Sequence, residues 1–302
     1  MFMNQRNINQ RNTNQRIANQ RIINQHNENV RKSKTRRIID CFIFYNEFDI
    51  INYRLNILND IVDFFIIVES THTFSGKEKK IYSDELTELF DKFKDKIVHI
   101  IVDDMPFKYP NINFNKNEQW KNEIHQRNCI KRGLDKLNIF DEDFIIVADV
   151  DEIPDSRTLQ LIKNNTIPVY VNSLEMDEYY YNLNSKHFTP LNAVKIVLYR
   201  LFKQNNMTCQ DYRGYKCPII KHGGWHLSYF GDKYFIKNKI ENFSHQEYNN
   251  DKFTNLNKIE AKMSSFSDLY NRTDETIQKI PINKNCYLPI EFNNYLNKYV
   301  LF

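Results

Sequence analysis

Glycine, tryptophan and cysteine are scarce in this chain, and long unbroken apolar stretches are lacking. Its 302 residues include 6 Gly, 2 Trp and 5 Cys. No segment approaches the roughly 20 apolar residues that a membrane span needs, and the N-terminus lacks the apolar core of a signal peptide. The cysteines are odd in number and widely spaced, which argues against a disulfide framework and a cysteine-based zinc site. Hydrophobic residues nevertheless make up 41% of the chain, enough for a sizeable core.

Positive charge is concentrated at the N-terminus. The formal net charge is +4, but residues 1–37 contain nine Lys or Arg and a single acid, so the remainder is mildly acidic. Asn-Gln recurs every five residues from Asn4 to Asn24, a period that gives neither a helix nor a strand an apolar face. We therefore expect residues 1–36 to be a basic, low-complexity, disordered arm. The alternative, an arm that follows nucleic acid phosphates, is disfavoured by the acidic remainder of the chain.

From residue 37 onward, strand and helix patterns alternate within what we expect to be one domain, residues 37–302. The strands are apolar on both faces, which indicates an α/β fold with a mostly parallel central sheet and helices on both sides. The pattern loosens after about residue 165, where strands dominate. Strands are predicted at 38–45, 64–68, 97–102, 144–148, 169–174, 179–183, 194–202 and 225–230, and helices at 47–60, 84–96, 117–137, 232–242 and 252–264.

Two aspartates leave the fourth predicted strand together, in residues 149–154 (Asp-Val-Asp-Glu-Ile-Pro). Clustered carboxylates resist ionisation unless a cation lies between them. Mn²⁺ or Mg²⁺, held by one or two carboxylates and by substrate phosphates, is the natural partner. Helix capping is the alternative, but Asp155 and Ser156 already supply caps. We therefore expect Asp149 and Asp151 to hold a divalent metal beside a nucleotide diphosphate.

Four segments follow one another in a specific order over residues 40–232. They are 44–49 (Phe-Tyr-Asn-Glu-Phe-Asp) with Arg54-Leu55, 63–69 (Asp-Phe-Phe-Ile-Ile-Val-Glu) with 73–77 (Thr-Phe-Ser-Gly-Lys), 126–128 (Gln-Arg-Asn) leading to 149–154, and 223–231 (Gly-Gly-Trp-His-Leu-Ser-Tyr-Phe-Gly). In this order they are similar to the family 17 glycosyltransferases, the group of the bisecting N-acetylglucosaminyltransferase. The resemblance implies a GT-A-like, Rossmann-type transferase fold, a UDP-sugar donor (UDP-GlcNAc above all), a Mn²⁺-type metal, and inversion to a β linkage on a glycan or glycoprotein acceptor.

Polar residues at predicted strand ends are candidates for donor binding, together with Asp149. Asn46 and Glu47 follow the first strand, in a turn that meets the base or ribose in nucleotide-binding α/β folds. Glu69 ends the second strand, where it would accept from a ribose hydroxyl or the uracil. Arg127 lies in a predicted helix and would hold the donor or the paired carboxylates. The alternatives are an ordinary acid at a helix N-terminus for Glu47 and a surface ion pair for Arg127.

Residues 221–226 (Lys-His-Gly-Gly-Trp-His) combine paired glycines with aromatic and imidazole side chains. Paired glycines allow a backbone to approach a ligand closely. We expect Trp225 to form an apolar platform for a sugar ring and His226 to complete the metal site or bind the diphosphate. The choice of His226 over His222 rests on the resemblance, and His245 is a further candidate. The alternative is a strand turn with a core tryptophan.

The acceptor hydroxyl needs a carboxylate general base, a role typically worth roughly 10²–10⁴-fold in rate. Glu178 is our first choice, because it precedes the aromatic run 179–181, a candidate acceptor platform. Asp232, which follows the Trp-His segment directly, is the second, and Asp177 is a third. For each of them a solvated surface acid is the alternative.

These patterns favour a metal-dependent inverting glycosyltransferase whose partners are a nucleotide sugar and a glycan or glycoprotein. With no signal peptide or membrane anchor in the sequence, we expect a soluble, cytoplasmic-type enzyme, as in a virus or protist that glycosylates outside the Golgi. A glycan-binding module with a degenerate transferase fold, and a nucleic-acid-associated protein acting through its basic arm, are the competing hypotheses.

Overall fold

The computed structural model describes residues 36–272 and 276–301, so the predicted arm lies outside the described residues except for its last one. Ten strands and eleven α-helices occur in this described part. The strands are β1 Ile38–Phe44, β2 Phe64–Ser70, β3 Ile97–Val102, β4 Phe144–Asp149, β5 Glu152–Pro154, β6 Val171–Tyr180, β7 Ser185–His187, β8 Lys195–Leu198, β9 Ile219–Ser228 and β10 Ile277–Lys279. The helices are α1 Phe48–Leu58, α2 Thr87–Lys92, α3 Glu118–Asn128, α4 Ile130–Leu134, α5 Ser156–Lys163, α6 Tyr199–Gln204, α7 Cys209–Gly214, α8 Lys233–Asn242, α9 Asp251–Thr254, α10 Leu256–Ser265 and α11 Phe292–Tyr295.

All ten strands belong to one mixed sheet, in the order β10-β7-β6-β8-β4-β1-β2-β3, with β9 beside β6 and β5 beside β9. Strands β4, β1, β2 and β3 are parallel, as the sequence predicted. Strand β8 is antiparallel to both β4 and β6, whereas β9 is parallel to β6. Because β2 and β4 lie on opposite sides of β1, the sheet has a topological switch point at β1, where ligands bind beyond the strand ends.

Alternate residues of β1 enter two separate hydrophobic cores, one on each face of the sheet. Phe42 packs in a core with buried residues of α1 and α5, whereas Cys41 packs in the other core with residues of α4. Both side chains are fully buried. Coverage of both faces is the reason the strand reads as a continuous apolar run rather than an alternating one. The α/β class and its parallel, Rossmann-like centre are therefore confirmed.

Several element boundaries differ from the sequence prediction. The helix expected over residues 117–137 is divided at Cys129, which lies between α3 and α4. Helix α4 then packs against β2. The strand expected over 194–202 ends at Leu198, where α6 begins, and β9 begins at Ile219, earlier than expected. Among the described residues, no helix has the length and apolar character required to cross a bilayer.

The close packing of α4 on β2 requires a glycine. A Cβ built on Gly133 would lie 2.4 Å from the Cγ2 atom of Ile66, whereas one on Gly214 would meet nothing within 4 Å. We expect Gly133→Ala to lower the free energy of unfolding by about 1–3 kcal/mol through overpacking. Gly214→Ala is the matched control and should be neutral or slightly stabilising. Urea denaturation measures both, and equal values for the two variants would contradict this packing.

Candidate active site

A cavity of about 330 Å³ opens beyond the carboxyl ends of β1 and β4, at the switch point of the sheet. It is lined by residues that follow β1, by the turn after β4, and by parts of α3, α7, α8 and β9. The ionisable residues of its lining include Glu47, Arg127, Asp149, Asp151, Glu152, Arg213, His226 and Lys239.

The turn after β4 is held in place by a fully buried arginine of α1. Arg54 donates through Nε and Nη2 to the Asp40 carboxylate of β1, at 2.8 and 2.6 Å. Its Nη1 donates to three backbone carbonyls, those of Asp149, Val150 and Glu152, at 2.8, 3.1 and 2.7 Å. The planar guanidinium thus satisfies carbonyls that the sharp turn leaves unpaired.

Asp149 points its carboxylate at two arginines. Arg127 Nη2 lies 2.9 Å from one oxygen and Arg213 Nη2 lies 3.2 Å from the other. Glu152 completes the network, since it pairs with Arg213 and accepts from the Asp149 N–H at 2.7 Å. Burial opposes ionisation of Asp149, but the two guanidinium groups hold its pKa below the usual value. Both oxygens of Asp149 are therefore engaged by cations of the chain.

Asp151 faces the cavity between a lysine and a histidine. Lys239 Nζ lies 2.9 Å from its Oδ2, and His226 Nε2 lies 3.7 Å from its Oδ1. Burial raises the pKa of Asp151, but Lys239 and His226 outweigh that effect and hold it well below the usual value. Lys239 also lies 3.6 Å from Glu47, a buried carboxyl whose pKa is raised by desolvation.

His226 and Glu178 are neighbours on the parallel strands β9 and β6. His226 Nδ1 lies 3.1 Å from Glu178 Oε1, a charge pair rather than an aligned hydrogen bond. Burial disfavours the imidazolium, yet Asp151 and Glu178 raise the pKa of His226 well above its usual value. Glu178 is not part of the cavity lining. It approaches Nδ1 of the imidazole, whereas Asp151 approaches Nε2, so Glu178 lies on the side of the ring away from Asp151.

Glu69 and Trp225, both expected to contact the donor, lie outside the cavity lining. Glu69 is fully buried, and its carboxylate accepts from Lys79 Nζ at 3.0 Å and from the Tyr82 N–H at 2.5 Å, which anchors the loop after β2. Trp225 is fully buried and donates to the Tyr287 carbonyl at 3.2 Å. Trp225 is thus a core residue, the alternative that its sequence context left open, and no sugar ring can reach it.

The paired glycines beside Trp225 serve strand packing. A Cβ on Gly224 would lie 2.0 Å from the Ile153 carbonyl oxygen, and one on Gly223 would lie 2.7 Å from the backbone of Leu174. The close approach that glycine allows is therefore to β5 and β6, and not to a ligand in the cavity.

Asn46 and Asp232 line a second cavity, of about 480 Å³, rather than the first. Asn46 Nδ2 donates to Asn238 of α8 at 3.3 Å. Asp232 is the N-cap of α8 and accepts the N–H groups of Tyr234 and Phe235 through Oδ1. Glu47 lines both cavities and lies at their boundary.

Sequence reasoning missed several residues of the site. Arg213 and Lys239 contact the paired aspartates from α7 and α8, and no local motif marks either one. The cavity also has an aromatic wall, in which the Trp120 and His245 rings meet edge to face with centroids 4.6 Å apart. His245, the further histidine candidate, thus lines the cavity. Among the described residues, no hydrogen bond or ion pair joins it to Asp151.

A different trio has metal-ligand spacing in the described part of the chain. Ligand atoms of Asp104, His125 and Cys129 lie within 4.8 Å of one another, the one such group found there. None of them lines the cavity, and both Asp104 oxygens already bind Arg132, at 2.9 and 2.6 Å. Asp149, Asp151 and His226 do not form a comparable group.

In a Rossmann-like sheet, ligands bind in the crevice at the switch point, which is where the paired carboxylates of this chain lie. The chain belongs to glycosyltransferase family 17, whose sequence model matches residues 6–282. It is similar to beta-1,4-mannosyl-glycoprotein 4-beta-N-acetylglucosaminyltransferases, at 28% identity for those of Rattus norvegicus and Homo sapiens and 27% for that of Mus musculus. Each match covers 129 residues, 41% of this chain and 23% of the relative, so it spans less than a quarter of the relatives' length. The expected family is thereby confirmed.

The Arg54 cluster leads to a stability prediction. We expect Arg54→Met to lower the free energy of unfolding by about 3–5 kcal/mol, because it leaves the Asp40 carboxylate buried without a counter-charge. Adding Asp40→Leu should recover part of this loss and not all of it, since the three carbonyls stay unpaired. Chemical denaturation of both variants tests this, with exposed Lys131→Met as the control. A loss below 1 kcal/mol for Arg54→Met would contradict the assigned role.

Proposed function

We propose that this chain is a metal-dependent inverting glycosyltransferase that transfers N-acetylglucosamine from UDP-GlcNAc to a glycan acceptor in β linkage. The observation that carries the proposal is the turn after β4, which presents Asp151 to a switch-point cavity in a family 17 chain. The sugar and the mannosyl-glycoprotein acceptor class come from the names of the similar proteins. The parallel order β3-β2-β1-β4, followed by antiparallel β8, supports a GT-A-like fold.

In this proposal the donor binds in the cavity with its diphosphate near Asp151. Arg127, Arg213 and Lys239 line this part of the cavity and provide positive charge for the phosphate oxygens. The aromatic wall of Trp120 and His245 offers apolar surface to the uracil ring. Glu47 remains a candidate donor contact, because it lines the same cavity.

Asp151 and His226 fit a divalent cation such as Mn²⁺ or Mg²⁺ better than Asp149 does. Their ligand atoms are 3.7 Å apart beside the cavity, and Glu178 backs the imidazole as carboxylates commonly back metal-bound histidines. A metal-bound imidazole is neutral, so cation binding would compete with protonation of His226. Asp149 would act from behind, by orienting Arg127 and Arg213. When bound, the cation supplies Lewis-acid neutralisation of the departing diphosphate.

Inversion requires attack from the face opposite the leaving UDP. The acceptor hydroxyl oxygen forms the new bond to the anomeric carbon as the bond to the phosphate oxygen breaks, and a carboxylate takes the hydroxyl proton. Asp232 lies in the second cavity, and its Oδ2 makes no hydrogen bond among the described residues. We therefore propose Asp232 as the base and Glu178 as the residue that positions His226.

An assay of sugar transfer by the purified chain tests the proposed function. With UDP-GlcNAc, Mn²⁺ and a mannosyl glycan, we expect UDP release and a β-linked product, identified by NMR of the anomeric proton. Asp151→Asn should lower the rate by about 100-fold or more, because the leaving diphosphate loses its cation. Exposed Asp135→Asn is the matched control. The absence of transfer from every UDP-sugar tried, or an α-linked product, would overturn the proposal.

Two further variants separate the roles of the acids. We expect Asp232→Asn to lower kcat by about 10²–10⁴-fold while UDP binding stays unchanged. Glu178→Gln should weaken Mn²⁺ binding by about 10- to 100-fold, since it removes the carboxylate that orients His226. Steady-state kinetics and calorimetric titration of Mn²⁺ measure the two effects. The reverse pattern would restore Glu178 as the base.

A further inference from the structure

Lys239 occupies the position beside Asp151 that faces the cavity. Its Nζ lies 2.9 Å from Asp151 Oδ2 and 3.6 Å from Glu47 Oε1, so the ammonium lies between two buried carboxylates. It also lies 5.3 Å from the centroid of the Tyr229 ring. These contacts make Lys239 the counter-charge of the turn that follows β4.

A divalent cation on Asp151 and His226 conflicts with this arrangement. The cation would lie within a few ångströms of the ammonium, and like charges at that distance repel strongly in a partly buried site. Glu47 alone cannot balance both of them. The ammonium must therefore leave Asp151, or an additional anion must bind with the cation.

The lysine can move while its helix stays in place. The neighbouring Asn238 Oδ1 accepts from the Tyr45 hydroxyl at 2.9 Å and from Asn46 Nδ2 at 3.3 Å, which fixes α8 to the segment after β1. The four-carbon stem of a lysine is flexible and its ammonium is a compact charge. A short rotation within the cavity would bring it to a diphosphate oxygen.

We propose that Lys239 neutralises Asp151 in the donor-free enzyme and passes to the donor diphosphate when the divalent cation takes Asp151. This inference rests on the proposed function, because it assumes a cation and a nucleotide diphosphate in the cavity. Its consequence is cooperative binding. The cation alone competes with Lys239 for Asp151 and binds weakly. When the cation and UDP bind together, Asp151 pairs with the cation and Lys239 pairs with the diphosphate.

The test is calorimetric titration of Lys239→Met with Mn²⁺ alone and with UDP in saturating Mn²⁺. We expect about tenfold tighter binding of Mn²⁺ alone, because a competing charge is gone, and about tenfold weaker binding of UDP, because a phosphate contact is gone. Lys237→Met is the matched control, since Lys237 is a half-buried lysine on the same helix and pairs only weakly with Glu241, at 3.8 Å.

The two affinities must change in opposite directions. Unchanged or weaker Mn²⁺ binding in Lys239→Met overturns the inference, as does unchanged UDP binding. If the original chain binds neither Mn²⁺ nor UDP, the proposed function fails instead, so the two failures are distinguishable. Thermal unfolding establishes that each variant is folded. If Lys239→Met does not fold, Lys239→Gln replaces it, with the same expected result: tighter Mn²⁺ binding and weaker UDP binding.

Discussion

The position of the turn after β4 depends on the buried guanidinium of Arg54. It makes five hydrogen bonds, two to the Asp40 carboxylate and three to carbonyls of the turn, so α1, β1 and the end of β4 meet at one charged group. A buried charge of this kind is tolerated only with near-complete hydrogen bonding. The cost of losing any partner keeps the turn in one conformation, and that conformation directs Asp151 toward the cavity.

Beyond the turn, every carboxylate of the site has a cation of the chain beside it. Arg127 and Arg213 bind Asp149, and Lys239 and His226 flank Asp151. These cations offset the cost of burying Asp149 and Asp151, which preorganises the site before any ligand binds. Under the proposed function, the same balance favours binding of a cation and an anionic donor together, since either one alone would leave an excess of charge.

The sequence predicted the parallel half of the sheet well, because strands buried on both faces carry their own apolar signal. It was less informative about side chains whose environment is built by distant segments. Trp225 and Glu69 carry the residue types of a sugar platform and a ribose acceptor, yet both are fully buried in structural roles. Burial depends on what packs over a residue. Tyr287, which accepts from Trp225, lies 62 residues further along the chain. The loop that covers Glu69 is close in sequence, but its fold back onto the carboxylate through Lys79 and Tyr82 has no local sequence signature.

The family, the α/β class and the location of the paired aspartates at a strand end could be inferred from the amino-acid sequence, since these follow from local patterns and motif order. Which carboxylate oxygen faces which cation depends on the packed fold. Arg213 and Lys239 come from helices more than 60 residues beyond Asp149 and carry no local signature. Electrostatic partners act through space over a few ångströms, so their identity is fixed by the packing of helices on the sheet and cannot be inferred from spacing along the chain.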